Sequence, residues 1–166
     1  TQQLFYPPWR LNRLFNLATR RAIKKAVAAG EGTHSGQVVF AVEARLPVNM
    51  WGANRATRVR AEQVFCSLKV WDTEANNGVL IYLNLAARKI EIVADRGAAA
   101  HIDDAQWQQV CAHMRHILAA SESAACYAAA ATEAIGQVSV LLATYFPRHE
   151  GMARQGNELG DEMVRL

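Results

Sequence analysis

The residues of this 166-residue chain best suited to chemistry fall in two short polar runs separated by apolar sequence. Asp72, Glu74, Asn76 and Asn77 precede the run Gly78-Val79-Leu80-Ile81. Asp95 and Arg96 follow Ile90-Glu91-Ile92-Val93-Ala94, and Asp103 and Asp104 come shortly after. Carboxylates and amide carbonyls are hard oxygen donors, and calcium collects roughly six to eight of them. If the two apolar runs pair as a hairpin, the end of the second lies beside the start of the first, and the polar clusters meet. The candidate metal or ligand set is then Asp72, Glu74, Asn76, Asn77, Asp95 and Asp103, with Ca2+ as the fitting ion. Asp72 and Asp95 are also an available carboxylate pair for acid–base work. A second reading uses the same residues structurally. Arg96 can pair with Asp72 or Asp95, Asn77-Gly78 suits a turn, and Asp103 or Asp104 suits a helix cap. The spacing of an EF-hand calcium loop is absent.

The second candidate is a charged surface. Arg10, Arg13, Arg20, Arg21, Lys24 and Lys25 lie within one helical stretch and project into an arc of roughly 140°. Such a face suits an anionic membrane surface or an acidic protein partner, or it is a solvated helix face. Aromatic residues do not interleave with the basic ones, which disfavours specific nucleic-acid binding. His113 and His116 share a helix side, but no Glu stands between them as in the zinc-protease motif. His34 and His101 fall near turns and carry no evident role. Cys66, Cys111 and Cys126 lack Cys-x-x-Cys spacing and are expected to be small buried thiols. None has an Arg six positions on, so a cysteine-phosphatase loop is absent. A Gly-x-Ser-x-Gly elbow and a phosphate-binding Gly-rich loop are absent too.

The rest of the chain must position these groups. Apolar residues make up 51% and charged residues 20%, a globular composition. Residues 1–60 hold ten Lys and Arg against two acids, a net +8, while the remainder carries −5. That asymmetry implies a dipolar surface. No continuous run of about eighteen apolar residues occurs, so no transmembrane segment is expected. The weakly polar stretch from Ala124 to Ala143 reads as a buried Ala-rich helix. The amino end shows no secretory signal, and a leader removed ahead of Thr1 stays open. The expected location is cytoplasmic or membrane-peripheral.

Tyr6-Pro7-Pro8 is extended, and a helix is expected from Trp9 to Ala29, with Leu11, Phe15, Ala18, Ala22, Ile23 and Ala26 inward. Gln37 to Leu46 alternates as a strand. A helix follows from about Asn54 to Val70, with Val64, Phe65, Leu68 and Trp71 inward. Val79–Leu85 is apolar throughout, as a central strand covered on both faces would be. Lys89–Ala94 returns antiparallel to it. Asp103 or Asp104 opens a helix carrying Trp107, Val110, Cys111, Met114, Ile117 and Leu118. Ser121 or Ser123 caps a last helix running to Tyr145. Trp9, Trp51, Trp71 and Trp107 are all available as core anchors. The fold class is α/β: a three-layer α/β/α sandwich whose small mixed sheet joins a parallel β-α-β unit to an antiparallel hairpin strand. The organisation is an extended segment 1–8, one domain 9–146 and a flexible tail 147–166.

Three segments carry a family likeness: His34-Ser35-Gly36-Gln37-Val38-Val39-Phe40, the run from Val70 to Tyr82 containing Asn77-Gly78-Val79-Leu80, and Lys89 to Gly97. With them the chain, over about residues 10–146, resembles the TPM-domain family, and within it a soluble bacterial subgroup. The family takes its name from a plant thylakoid-lumen protein, a photosystem repair protein and a nematode receptor-modulating protein. Some members are acid phosphatases, some bind calcium through acidic side chains at one end of the sheet, and bacterial members are often linked to membranes. Many carry Gly-Tyr-Gly after the returning strand, where this chain has Ala94-Asp95-Arg96-Gly97. The resemblance implies a non-catalytic binding or accessory module working with a membrane-associated partner. A divalent-metal-dependent acid phosphatase is the alternative.

Overall fold

A computed structural model describes residues 6–149 and 159–166. The elements are α1 (Pro8–Leu14), α2 (Leu17–Glu31), β1 (Gln37–Glu43), a 3-10 turn (Val48–Met50), α3 (Ala56–Ser67), β2 (Gly78–Asn84), β3 (Lys89–Ala94), α4 (Arg96–His101), α5 (Asp104–Leu118), α6 (Ala124–Tyr145) and β4 (Val164–Arg165). The sheet order is β3-β2-β1-β4. β1 and β2 are parallel and β2 and β3 antiparallel, as the sequence pattern requires.

Alternation along the strands divides the core in two. Val38, Phe40, Val42, Val79, Ile81, Leu83, Ile90 and Ile92 face the layer of α1, α2, α5 and α6. Val39, Ala41, Leu80, Tyr82 and Val93 face α3, which buries Ala61, Val64 and Phe65 against them. Every residue of β1 and β2 is buried. The result is the expected three-layer sandwich, thick on one side and thin on the other.

The first helix differs from the single helix expected. Asn16 breaks it by capping α2, its side chain accepting from the Thr19 amide at 3.0 Å. The break lets Leu14 and Phe15 both turn inward, although one straight helix would put them on different faces. Phe15 packs on Phe40 and edge-on against Tyr127; its full burial is worth about 2 kcal/mol. Trp107 is a core anchor, but Trp9 and Trp71 are exposed. Cys111 alone of the cysteines is buried, with Cys66 exposed and Cys126 half-buried.

The carboxyl end also departs from expectation. Val164–Arg165, assigned to a flexible tail, runs parallel to β1 as a fourth strand, through Ala41↔Val164 and Val42↔Arg165. Two strand residues were too few to register as a pattern. Met163 enters the core beside them. Residues 150–158 of the tail lie outside the described residues.

α6 is long and apolar enough by length and composition to cross a membrane. One of its sides packs on α2 and α5, burying Ala130, Ala134, Val138 and Leu142. Val140 on the other side is 67% exposed.

Candidate functional site

The hairpin brings the two polar runs together through the backbone. The Asp95 amide donates to the Gly78 carbonyl at 2.9 Å, and the Gly97 and Ala98 amides donate to the Asn76 carbonyl at 2.8 and 3.3 Å. A Cβ at Gly97 would lie 2.6 Å from the carbonyl oxygens of Ala75 and Asn76, so glycine alone permits this approach. Asn77 is buried; its amide donates to Thr73 Oγ1 at 3.2 Å and its side chain to Ser35 Oγ at 3.4 Å. Asp95 is buried at the start of α4, a helix the sequence pattern missed because it has only six residues. One carboxylate oxygen accepts from the Arg96 amide at 2.8 Å, and the other is buried with no hydrogen-bond partner among the described residues.

Register places Gln37, Gly78 and Asp95 in one row across three strands, on the α3 side of the sheet. Gly78 has no side chain there because the Val70 carbonyl fills the space: a Cβ would sit 2.0 Å from that oxygen. Gln37 Oε1 at the other end of the row is likewise buried without a partner among the described residues. Two strand spacings, about 9.6 Å, separate the backbones at the row's ends.

The other candidate ligands are Asp72, Glu74, Asn76 and Asp103. Asp72 and Glu74 are exposed, and Asn76 is exposed with a left-handed backbone (φ 51°) that turns its carbonyl toward α4. Asp103 caps α5 in a reciprocal box with Gln106. Among the described residues no three His, Cys, Asp or Glu side chains converge as a metal-holding group. Arg96 forms no ion pair among them.

The basic set is divided by the break at Asn16. Arg10 pairs with Glu122 and lies over the Tyr6 ring. Lys24 pairs with Glu162 at 2.6 Å, and that partner raises its pKa. Arg20 is half-buried, while Arg13 stacks on Trp9 and Arg21 and Lys25 are exposed. The positive face expected as one arc is thus two clusters, part of whose charge is met inside the chain.

Sequence reasoning gave His34 no role and passed over Ser139. His34 is fully buried, and neither ring nitrogen has a hydrogen-bond partner among the described residues. Burial pushes its pKa down to about 4, against an opposing pull from the Gly36 backbone and with added help from Arg148. Ser139 Oγ is also buried without a hydrogen-bond partner among the described residues. The hydroxyl lies 2.1 Å, and His34 Nε2 3.4 Å, from the point where Gly30 lacks a Cβ. Glycine in the last turn of α2 is the signal that marked this close crossing. Nearby, burial and then the Asp161 carboxylate raise the Glu31 pKa to about 7.

At the opposite end of the sheet a buried network clamps α3. Arg60 donates to both oxygens of Glu43, the shortest contact being 2.7 Å, and Tyr82 donates to Glu43 Oε2 at 2.5 Å. Asn84 donates to the Tyr82 oxygen at 3.1 Å and accepts from the Ala87 amide at 3.0 Å. With Glu43 this satisfied, the network acts as a structural anchor.

The TPM-domain family model matches residues 11–139. No curated protein matches the sequence. Among solved structures, the chain is similar to the BA42 protein of the psychrophilic bacterium Bizionia argentinensis. The identity is 22%, the TM-score 0.74, and the similarity covers 90% of this chain and 93% of that one. That likeness establishes a shared fold.

Proposed function

The chain belongs to the TPM-domain family, and on that premise we propose that it is a non-catalytic accessory module working at an anionic membrane surface beside a membrane-associated partner. The observation that carries this reading is the corner formed by α1 and α2. Trp9 is 58% and Leu17 53% exposed, each followed one turn later by a basic residue, Arg13 and Arg21, with Lys25 beyond. Exposed Trp and Leu beside Arg and Lys are the composition of an interfacial docking surface. The test is flotation with vesicles of phosphatidylglycerol or of phosphatidylcholine alone. Binding is expected only to the anionic vesicles, weakening as salt rises and lost in Trp9→Ala/Leu17→Ala and in Arg21→Glu/Lys25→Glu. Absence of binding at low salt would remove the reading.

A second reading, a divalent-metal-dependent phosphatase, draws support from one feature: the buried oxygen of Asp95 at the joined strand ends, without a hydrogen-bond partner among the described residues. A cation held there would stabilise the folded state in proportion to its occupancy. Calcium is then expected to raise the melting temperature of the wild type but not of Asp95→Asn, and to support phosphomonoester turnover that the variant lacks. A melting temperature indifferent to calcium and magnesium, with no turnover, argues against it.

A further inference from the structure

A cavity lies beyond the carboxyl end of β2, between the β2–β3 turn and the α5–α6 turn. It encloses about 300 Å3, at the small end of the range for ligand sites. Its apolar wall is Leu83, Leu85, Ile90 and Leu118, with Tyr127 from α6. In open α/β sheets, ligands gather beyond the carboxyl ends of parallel strands, and β2 is parallel to β1.

The polar side chains of this cavity are mostly hydrogen donors, its Asn84 being committed to the Tyr82 oxygen and the Ala87 amide. Arg88, Arg115, Ser121 and the Tyr127 hydroxyl all offer hydrogens. The acid that lines it, Glu122, is already engaged by both Arg10 and Arg88. Arg115 forms no ion pair among the described residues. Arg88 reaches the cavity from a left-handed backbone, φ 52°, at the tip of the hairpin, a conformation uncommon for a residue other than glycine. Two guanidinium groups against one shared carboxylate leave the mouth cationic above an apolar interior. Such a site discriminates by two features at once: an anionic head for the guanidinium pair and an apolar body for the leucine wall.

We propose that this cavity binds a small amphipathic carboxylate, such as a medium-chain fatty acid. Its chain lies against Leu83, Leu85, Ile90 and Leu118, and its carboxylate meets Arg115 and Arg88. This inference does not rest on the membrane-surface reading, which concerns the corner of α1 and α2.

The probe is octanoate, titrated into the full chain and followed by amide chemical shifts, with octylammonium and 1-octanol as controls. Octanoate is expected to move the amides of Leu85, Ile90 and Ala119 saturably, with half-saturation near or below ~1 mM. Octylammonium is expected to leave them in place. Arg115→Gln, at an exposed position, removes a charge-assisted bond and is expected to weaken octanoate about tenfold. Ala119→Phe, which narrows the cavity from its exposed rim, is expected to abolish the shifts. The spectra of the variants report directly that each is folded. Three results would overturn the proposal: no saturable shift, equal binding of octylammonium, or octanoate shifts that persist unchanged in both variants.

Discussion

Replacing Gly78 by alanine is expected to lower the stability of the domain by about 3 kcal/mol. The added Cβ would lie 2.0 Å from the Val70 carbonyl oxygen and 3.0 Å from its carbon. The obstacle is backbone, so no rotamer change relieves it. The Val70 segment is itself fixed, with its amide donating to Phe65 at 3.0 Å and its side chain fully buried. The strand on the other side of the collision is the central one, paired on both edges. Relief requires moving either the end of α3 or the strand, and each unpacks a core. Urea unfolding is the measurement, with Gly136→Ala as the control. Gly136 lies inside α6 with nothing near its missing Cβ, and alanine there is expected to stabilise by about 0.5–1 kcal/mol. A loss below about 1 kcal/mol for Gly78→Ala would mean that the Val70 carbonyl yields easily, against the reading of the row Gln37, Gly78 and Asp95.

The second large effect is a pair of opposed pH dependences at the end of α2. His34 titrates at about 4 when folded, against an ordinary 6.5. The unfolded chain therefore binds more protons between those values, and the His34 contribution to stability is lost as pH falls from 6.5 toward 4. The full difference is of the order of 3 kcal/mol. Glu31 has the opposite sign. Its pKa rises from 4.5 to about 7, so its protonated form belongs to the folded state and stability falls as pH rises through that interval. Its half-buried position reduces the size of this second effect by solvent screening. In the wild type the two slopes overlap and oppose each other between about pH 4.5 and 6.5. Glu31→Gln is expected to expose the His34 slope, losing stability steadily on acidification across this window. His34→Gln is expected to show the reverse slope. Denaturant midpoints measured from pH 4 to 7.5 decide the matter. Parallel curves for both variants and the wild type would mean that neither group is perturbed as its surroundings require.

How much of this was legible in the sequence follows from the range of the interactions. The strands β1, β2 and β3 were readable because burial on one or both faces writes alternating or continuous apolar runs. A cap for α5 at Asp103 or Asp104 and for α6 at Ser121 or Ser123 was readable because capping is decided within three residues, and the structure selects Asp103 and Ser123. The break at Asn16 was obscured because Leu11, Phe15, Ala22 and Ile23 already satisfy a helical period without it. β4 was invisible because a two-residue strand has no period and takes its identity from the edge it joins.

The site divides along the same line. That Asp95 must lie beside the run ending at Gly78 followed from hairpin pairing, and the backbone bonds place it there. The directions of the other acids did not follow, since Asp72 and Glu74 sit in a connection whose turns no period governs. His34 and Ser139 are 105 residues apart and meet only because Gly30 lets α2 and α6 approach.

The sequence by itself therefore determined strands β1 to β3, their order, most of the helices and the apolar faces that bury them, because these depend on neighbours a few residues away. Only the tertiary structure decided which polar atoms are left without partners, which charges cancel, as in Lys24 with Glu162, and where cavities remain. Those outcomes depend on distances between segments remote in the chain, which residue types and spacing do not encode locally.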